Sequence, residues 1–329
     1  MKSETALTPD ALTSETTAAE GFRSLVPALI EAALGRAREL ENKSDAEDFH
    51  KLRIALRRLR SLWWAYEPLL DSQDAELHRE QFKRLADAAG NTRDWDVALE
   101  LFSKKKRTRT SFAELLPALD EQRIRALLLS RATINPAEVE QILQRALDDA
   151  LEQLARDDSA IKLTQFANER IRSAEKTLRK RLKQAAKSDC DYEALHRVRI
   201  AGKKVRYMLE FFLPVLDDSH RTTLEHMAEL QEELGELNDF VASENLIRHY
   251  ASQIGRKTGG RKTGGQNTSE RETSGGNTER GKDAGGKDKG ARDQATQGDV
   301  DDALRWLKRR KRRRMDRAHT LLKRLHAHR

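Results

Sequence analysis

His50-Lys-Leu-Arg-Ile-Ala-Leu-Arg-Arg-Leu-Arg60 and, 146 residues later, His196-Arg-Val-Arg-Ile-Ala-Gly-Lys-Lys-Val-Arg206 are two versions of one undecapeptide. With His50 as zero and about 100° per residue, Arg53, Arg57 and Arg60 fall near 300°, 340° and 280° and form one narrow stripe. Leu52, Ala55, Leu56, Leu59, Leu62, Trp63 and Tyr66 fall between about 120° and 240° on the same wheel. The segment is therefore an amphipathic helix, with an apolar face able to pack into a bundle and a basic stripe beside it. The second copy repeats the stripe with His196, Arg199, Lys203 and Arg206, and the apolar face with Val198, Val205, Met208, Leu209 and Phe212.

A second pair of segments follows about 40 residues after each motif. Leu85 to Val97 reads LADAAGNTRDWDV and Leu230 to Ala242 reads LQEELGELNDFVA, which sets Gly90 against Gly235 and Asp94 against Asp239 at an offset of 145. Two matches in the same order at nearly the same offset indicate an internal duplication. The glycines are expected to be left-handed C-caps that end the third helix of each unit. Asp94 and Asp239 then stand at the start of the next helix, where a carboxylate satisfies free N–H groups.

The stripe spans roughly 15 Å at 1.5 Å rise per residue. Like charges one turn apart weaken an isolated helix. Lys51, Arg58, Arg197 and Lys204 add more charge, with no Asp or Glu interleaved. Solvated helix faces ordinarily mix signs, so a row of one sign, present twice, indicates a polyanion ligand.

The whole composition agrees with a helical protein. Of 329 residues 37% are hydrophobic and 35% charged, only 6 are proline, and 62 basic against 54 acidic residues leave a net charge of +8. Cys190 is the single cysteine, which excludes an intrachain disulfide and cysteine-rich zinc sites. No signal peptide and no run of about 20 apolar residues is present, so a cytoplasmic protein is expected. Residues 1–20 read as a disordered tail, 21–157 as a first helical repeat and 158–255 as a second. Residues 256–298 hold 11 of the 17 glycines and a tandem RKTGG, and read as a flexible linker. Residues 299–329 read as a final helix that completes the second repeat, anchored by Trp306, Leu307, Leu321, Leu322 and Leu325.

The pattern HxxRxxxRRxR, followed by LxxxxGxxRDxDV and repeated in weaker form, resembles the CHAD family (conserved histidine α-helical domain) over residues 20–329, less the linker. The resemblance implies an all-α fold of two pseudo-symmetric four-helix bundles around a basic central cavity. It also implies binding of inorganic polyphosphate and recruitment to polyphosphate granules, with no catalysis and no cofactor. Carried over by position, the binding residues are His50, Arg53, Arg57, Arg58 and Arg60 in the first motif, and His196, Arg199, Lys203, Lys204 and Arg206 in the second. Lys83 and Arg84 suit a further phosphate contact, but the matching stretch at Ala228 and Glu229 is neutral or acidic. Arg179 and Lys183, one turn apart, are further candidates, as are Arg310 and Arg313 of the seven-residue basic run Lys308–Arg314 and Arg317 after it, which share one face of the final helix.

Three other readings carry less weight. A nucleic-acid-binding protein is the alternative, with contacts to phosphates alone; the chain is 5% aromatic, and neither stripe offers a platform for stacking bases. Two histidines among arginines make a poor cation site, so no metal is expected. Glu39-Leu-Glu-Asn-Lys43 fits the ExExK string of a triphosphatase strand, but it ends an amphipathic helix. If the histidines bind phosphate in their protonated form, binding strengthens below about pH 6.5.

Overall fold

The computed structural model describes residues 12–13, 15–42, 45–104, 106–156, 160–187, 191–217, 219–259 and 285–327. Its α-helices are α1 (Ala18–Asn42), α2 (Ala46–Tyr66), α3 (Ser72–Ala89), α4 (Arg93–Ser103), α5 (Lys106–Ser111), α6 (Leu115–Thr133), α7 (Pro136–Ala155), α8 (Leu163–Lys187), α9 (Tyr192–Phe212), α10 (Ser219–Gly259) and α11 (Gly285–Ala327). The fold is all-α, as expected; among the described residues the only β pairing is an isolated bridge between Thr17 and Lys162. Cys190 lies outside the described residues, as do 260–284 of the linker. Helix reaches into both ends of that linker, α10 running to Gly259 and α11 starting at Gly285. Glu39 to Asn42 are helical, the end of α1, and Lys43 lies outside the described residues.

Both basic motifs begin and end their helices in the same way. Asp45 accepts hydrogen bonds from the Glu47 and Asp48 amides at the start of α2, and Asp191 accepts one from the Glu193 amide at the start of α9. Each carboxylate satisfies N–H groups that a first turn leaves unpaired. Each helix then tightens into a 3₁₀ turn containing a proline, Glu67–Leu69 after α2 and Leu213–Val215 after α9. The bounds of the two helices thus repeat at the 146-residue offset of their sequences.

The chain forms two compact units, each assembled from separated stretches, so packing groups the residues differently from the order of the repeats. The first comprises residues 1–93, 124–238 and 313–329. In it α2 packs against α1, α3 and α9, and α8 packs against α9. Every apolar-face residue named from the helical wheel is buried, with Leu52, Leu56, Leu59, Leu62, Trp63, Tyr66, Val198, Val205, Met208, Leu209 and Phe212 fully so. Phe22, Trp63 and Phe82 stack edge to face at centroid separations of 5.4 and 5.1 Å, the geometry ring quadrupoles favour. Where α2 has Leu56, α9 has Gly202; the amide of Gln231 fills that space, where a Cβ on Gly202 would collide with it.

The second unit comprises residues 94–123 and 239–312. Trp306 of α11 lies against Phe102, Phe112 and Phe240 at 5.5, 6.3 and 6.0 Å, with Leu115, Leu119, Val300 and Leu307 buried. Asp299 of α11 accepts from the Glu114 and Leu115 amides at 3.1 and 3.2 Å and so caps α6.

Three local expectations need correction. Gly90 does end α3, but with φ −91° rather than in the left-handed region. Gly235 ends nothing, because α10 runs straight through it. A glycine inside a helix costs about 1 kcal/mol, and here Leu230, Leu234, Leu237 and Phe240 keep the buried apolar period intact on both sides. The end of the expected disordered tail is structured. The Thr17 amide donates to the Glu20 carboxylate at 2.8 Å, the Glu20 amide donates to the Thr17 hydroxyl at 3.2 Å, and Ala18 and Ala19 are buried. That reciprocal pair is a capping box.

Candidate polyanion site

Because α2 and α9 pack against each other in the first unit, both stripes act on one lysine. Lys203 feels Arg53 and Arg57 from α2 and Arg199 and Arg206 from α9. Burial, then the charges of Arg57, Arg199, Arg206 and Arg53, push its ammonium down to about 7. Among the described residues neither Lys203 nor Arg57 forms an ion pair with a carboxylate. Arg206 is partly compensated by Glu210, 3.2 Å from its Nε. A half-buried ammonium crowded by four like charges is costly in the free protein, and an anion beside Lys203 lowers that cost.

His196 borders this group. Burial first, then Arg199, lower its pKa, while Glu193 and a hydrogen bond with Asn238 work in the other direction. The Tyr192 hydroxyl lies 3.4 Å from His196 Nδ1 and from Asn238 Oδ1. In the free protein its protonation therefore falls below the pH window expected for an ordinary histidine, because burial and then the charge of Arg199 oppose it. His50 is half-buried on α2.

Gly90 has a role that the wheel did not show. A Cβ at this position would lie 2.8 Å from Arg53 Nε and 2.9 Å from its Cδ. The glycine makes room for the Arg53 side chain along the end of α3.

Other candidates sit elsewhere. Arg58 is half-buried, with no hydrogen-bond partner for its Nε among the described residues. Arg60 is exposed, and Lys204 lies with its Nζ 4.3 Å over the Trp64 ring. Lys83 and Arg84 are exposed and paired with Glu80 and Glu138, each at 3.0 Å. Arg179 is exposed and paired with Glu175 at 2.8 Å, and Lys183 is exposed. Arg313 and Arg317 are exposed in the first unit. Arg310 belongs to the second unit, its guanidinium 5.3 Å over Trp306.

The basic run of α11 divides by face. Within the second unit Lys311 donates to Glu244 at 2.6 Å; within the first Arg314 pairs with Glu233 at 2.8 Å and with Glu236. Burial opposes the charge on Glu244, but hydrogen bonds from Lys311 and Arg248 outweigh it and hold the carboxyl below its ordinary range. Lys311 and Arg314 fasten α11 to α10, a role the run of seven did not reveal because the partner carboxylates are some 70 to 80 residues away.

Among the described residues no group of three or more His, Cys, Asp or Glu could hold a metal ion, and no helix is long and apolar enough to cross a membrane. The family profile described as CHAD domain matches residues 26–248. A crystal structure of the CHAD domain from the plant Ricinus communis is similar, with a TM-score of 0.71 and 21% identity over 98% of this chain and 97% of that one. PptA from Streptomyces chartreusis is similar at a TM-score of 0.55 and 14% identity, over 91% of this chain and 100% of that one. No curated protein matches the sequence.

Proposed function

This chain belongs to the CHAD domain family, and from that premise we propose that it is a nonenzymatic binder of inorganic polyphosphate, recruited through that binding to polyphosphate granules in the cytoplasm. The observation that carries the reading is Lys203, held among Arg53, Arg57, Arg199 and Arg206 contributed by both basic helices. A linear phosphate chain offers repeated oxyanions, which arginine forks and lysine ammonium groups grip by charge-assisted hydrogen bonds. The reading needs no metal and no cofactor, since the opposing charge is the protein's own. His50 and His196 would each add a hydrogen bond to the same chain.

The direct test is a pull-down with polyphosphate of defined lengths, titrated with salt. Affinity is expected to fall steeply as salt rises, through release of counterions. Replacing Arg53, Arg57, Arg199 and Lys203 with Glu is expected to abolish binding while helicity persists. Competition with duplex DNA addresses the alternative: tighter binding to DNA than to polyphosphate at equal charge would make this a binder of nucleic-acid backbones.

A further inference from the structure

The two adjacent lysines of the second motif do not share surroundings. Lys203 stands among the arginines of the two stripes, whereas Lys204 lies 4.3 Å over the indole of Trp64 on α2. The Arg170 guanidinium of α8 lies 5.0 Å from the same ring, and its NH2 donates to the Trp64 carbonyl at 2.8 Å. Arg79 of α3 reaches the same corner through Glu67, whose carboxylate is 3.2 Å from it, and also pairs with Glu76.

We propose that Lys204 and Arg170, held over Trp64, together with Arg79 at Glu67 and Arg60 one turn before Trp64 on α2, form a second oxyanion site of their own, built to take a phosphoryl group. Four helices, α2, α3, α8 and α9, each supply at least one cation, and all four lie in the first unit. Trp64 holds Lys204 and Arg170 near one ring, a cation–π arrangement that offsets part of the repulsion between them. Glu67 and Glu76 are the carboxylates paired there, both with Arg79. Among the described residues Arg60, Arg170 and Lys204 form no ion pair with a carboxylate. Arg170 also keeps a buried Nε without a hydrogen-bond partner. Burial and the charges of Arg79, Arg60 and Arg170 depress the Lys204 ammonium against the pull of Glu67. A phosphoryl oxyanion would satisfy both the open donor and the excess charge.

The proposal rests on the polyphosphate reading only for the origin of the phosphoryl group: a segment of a long chain, or a free small phosphate. Tryptophan fluorescence of the full chain, titrated with inorganic pyrophosphate and with long-chain polyphosphate, separates the cases. A change of signal is expected in the wild-type protein with either ligand, and with pyrophosphate in the Arg53→Gln/Arg57→Gln variant. It should be absent in Trp64→Phe and at least tenfold weaker in apparent affinity in Lys204→Gln, the milder change. A response to pyrophosphate assigns the site to free phosphates; a response to long chains alone assigns it to a segment of polymer. Loss of the pyrophosphate signal in Arg53→Gln/Arg57→Gln, or an unaltered signal in Trp64→Phe and Lys204→Gln, overturns the second site. Failure of the wild-type protein to retain polyphosphate in the pull-down would instead overturn the function proposed above and leave the pyrophosphate arm readable.

Discussion

Tyr66 and Phe212 hold the same place in the two copies of the basic helix, and their rings meet with centroids 5.9 Å apart. Both are fully buried, so α2 and α9 meet through equivalent residues. The Tyr66 hydroxyl has no hydrogen-bond partner among the described residues, and burial raises its pKa. An orphaned buried hydroxyl costs stability, so Tyr66→Phe is expected to leave the protein unchanged or more stable by up to about 1 kcal/mol. Phe212→Ala, which empties the same contact, should cost about 3–5 kcal/mol. Urea denaturation measures both, and a clear loss in Tyr66→Phe would mean that the hydroxyl is satisfied after all.

Lys203 gives the protein a pH response. In an unfolded chain a lysine stays charged up to about pH 10.4, whereas folded Lys203 loses its proton near 7, burdened by burial and by Arg53, Arg57, Arg199 and Arg206. Between those values the unfolded state holds more protons, so stability from this group rises with pH across the window, and the full penalty of charging it applies below 7. Comparing the melting temperature of the wild-type protein with that of Lys203→Met from pH 6 to 10 should show the wild type gaining relative to the variant as pH rises. Binding has the opposite slope. A phosphate chain bound as proposed would restore the proton, so affinity should fall by up to about tenfold per pH unit above 7, and Lys203→Arg should flatten the curve.

Gly90 and Gly235 are twins in sequence and opposites in structure. A Cβ at Gly90 would press on Arg53, while one at Gly235 meets nothing within 4 Å. Since Gly90 has a φ of −91°, alanine fits its backbone, and Gly90→Ala should lower polyphosphate affinity several-fold by displacing Arg53 with little change in melting. Gly235→Ala should instead raise stability by about 0.5–1 kcal/mol, the usual gain inside a helix, and leave binding alone. Equal effects of the two substitutions on binding would remove the positioning role of Gly90.

The faces of α2 and α9 were legible because a 3.6-residue period sorts Leu52 from Arg53 without reference to any other segment. Gly235 does not end its helix as the repeat suggests, because a glycine's role depends on what surrounds it, here the leucines that carry α10 onward. Thr17-Ala-Ala-Glu20 was a readable capping box hidden by the polar composition before it. Arg79 and Arg170 carry no signal at all: neither lies in a matched motif, and only the packing of α3 and α8 brings them near Trp64. Lys203 and Lys204 look interchangeable in sequence, yet adjacent positions on a helix point about 100° apart, and each meets different neighbours.

The attachment of α11 supplies the last test. Glu244 is buried and receives Lys311 at 2.6 Å and Arg248 at 2.7 Å. Its lowered pKa contributes stability that is present above the ordinary carboxylate range and is lost as pH falls through the folded value. Glu244→Gln removes the carboxylate from two cations, one of them half-buried, and should cost about 1–3 kcal/mol at neutral pH. Lys311→Met in the same background should recover part of that loss, because the stranded charge goes with it. Hydrogen exchange along Val300 to Leu307 would report where the helix loosens. If Glu244→Gln leaves both melting and exchange unchanged, the Lys311–Glu244 pair does not help to hold α11.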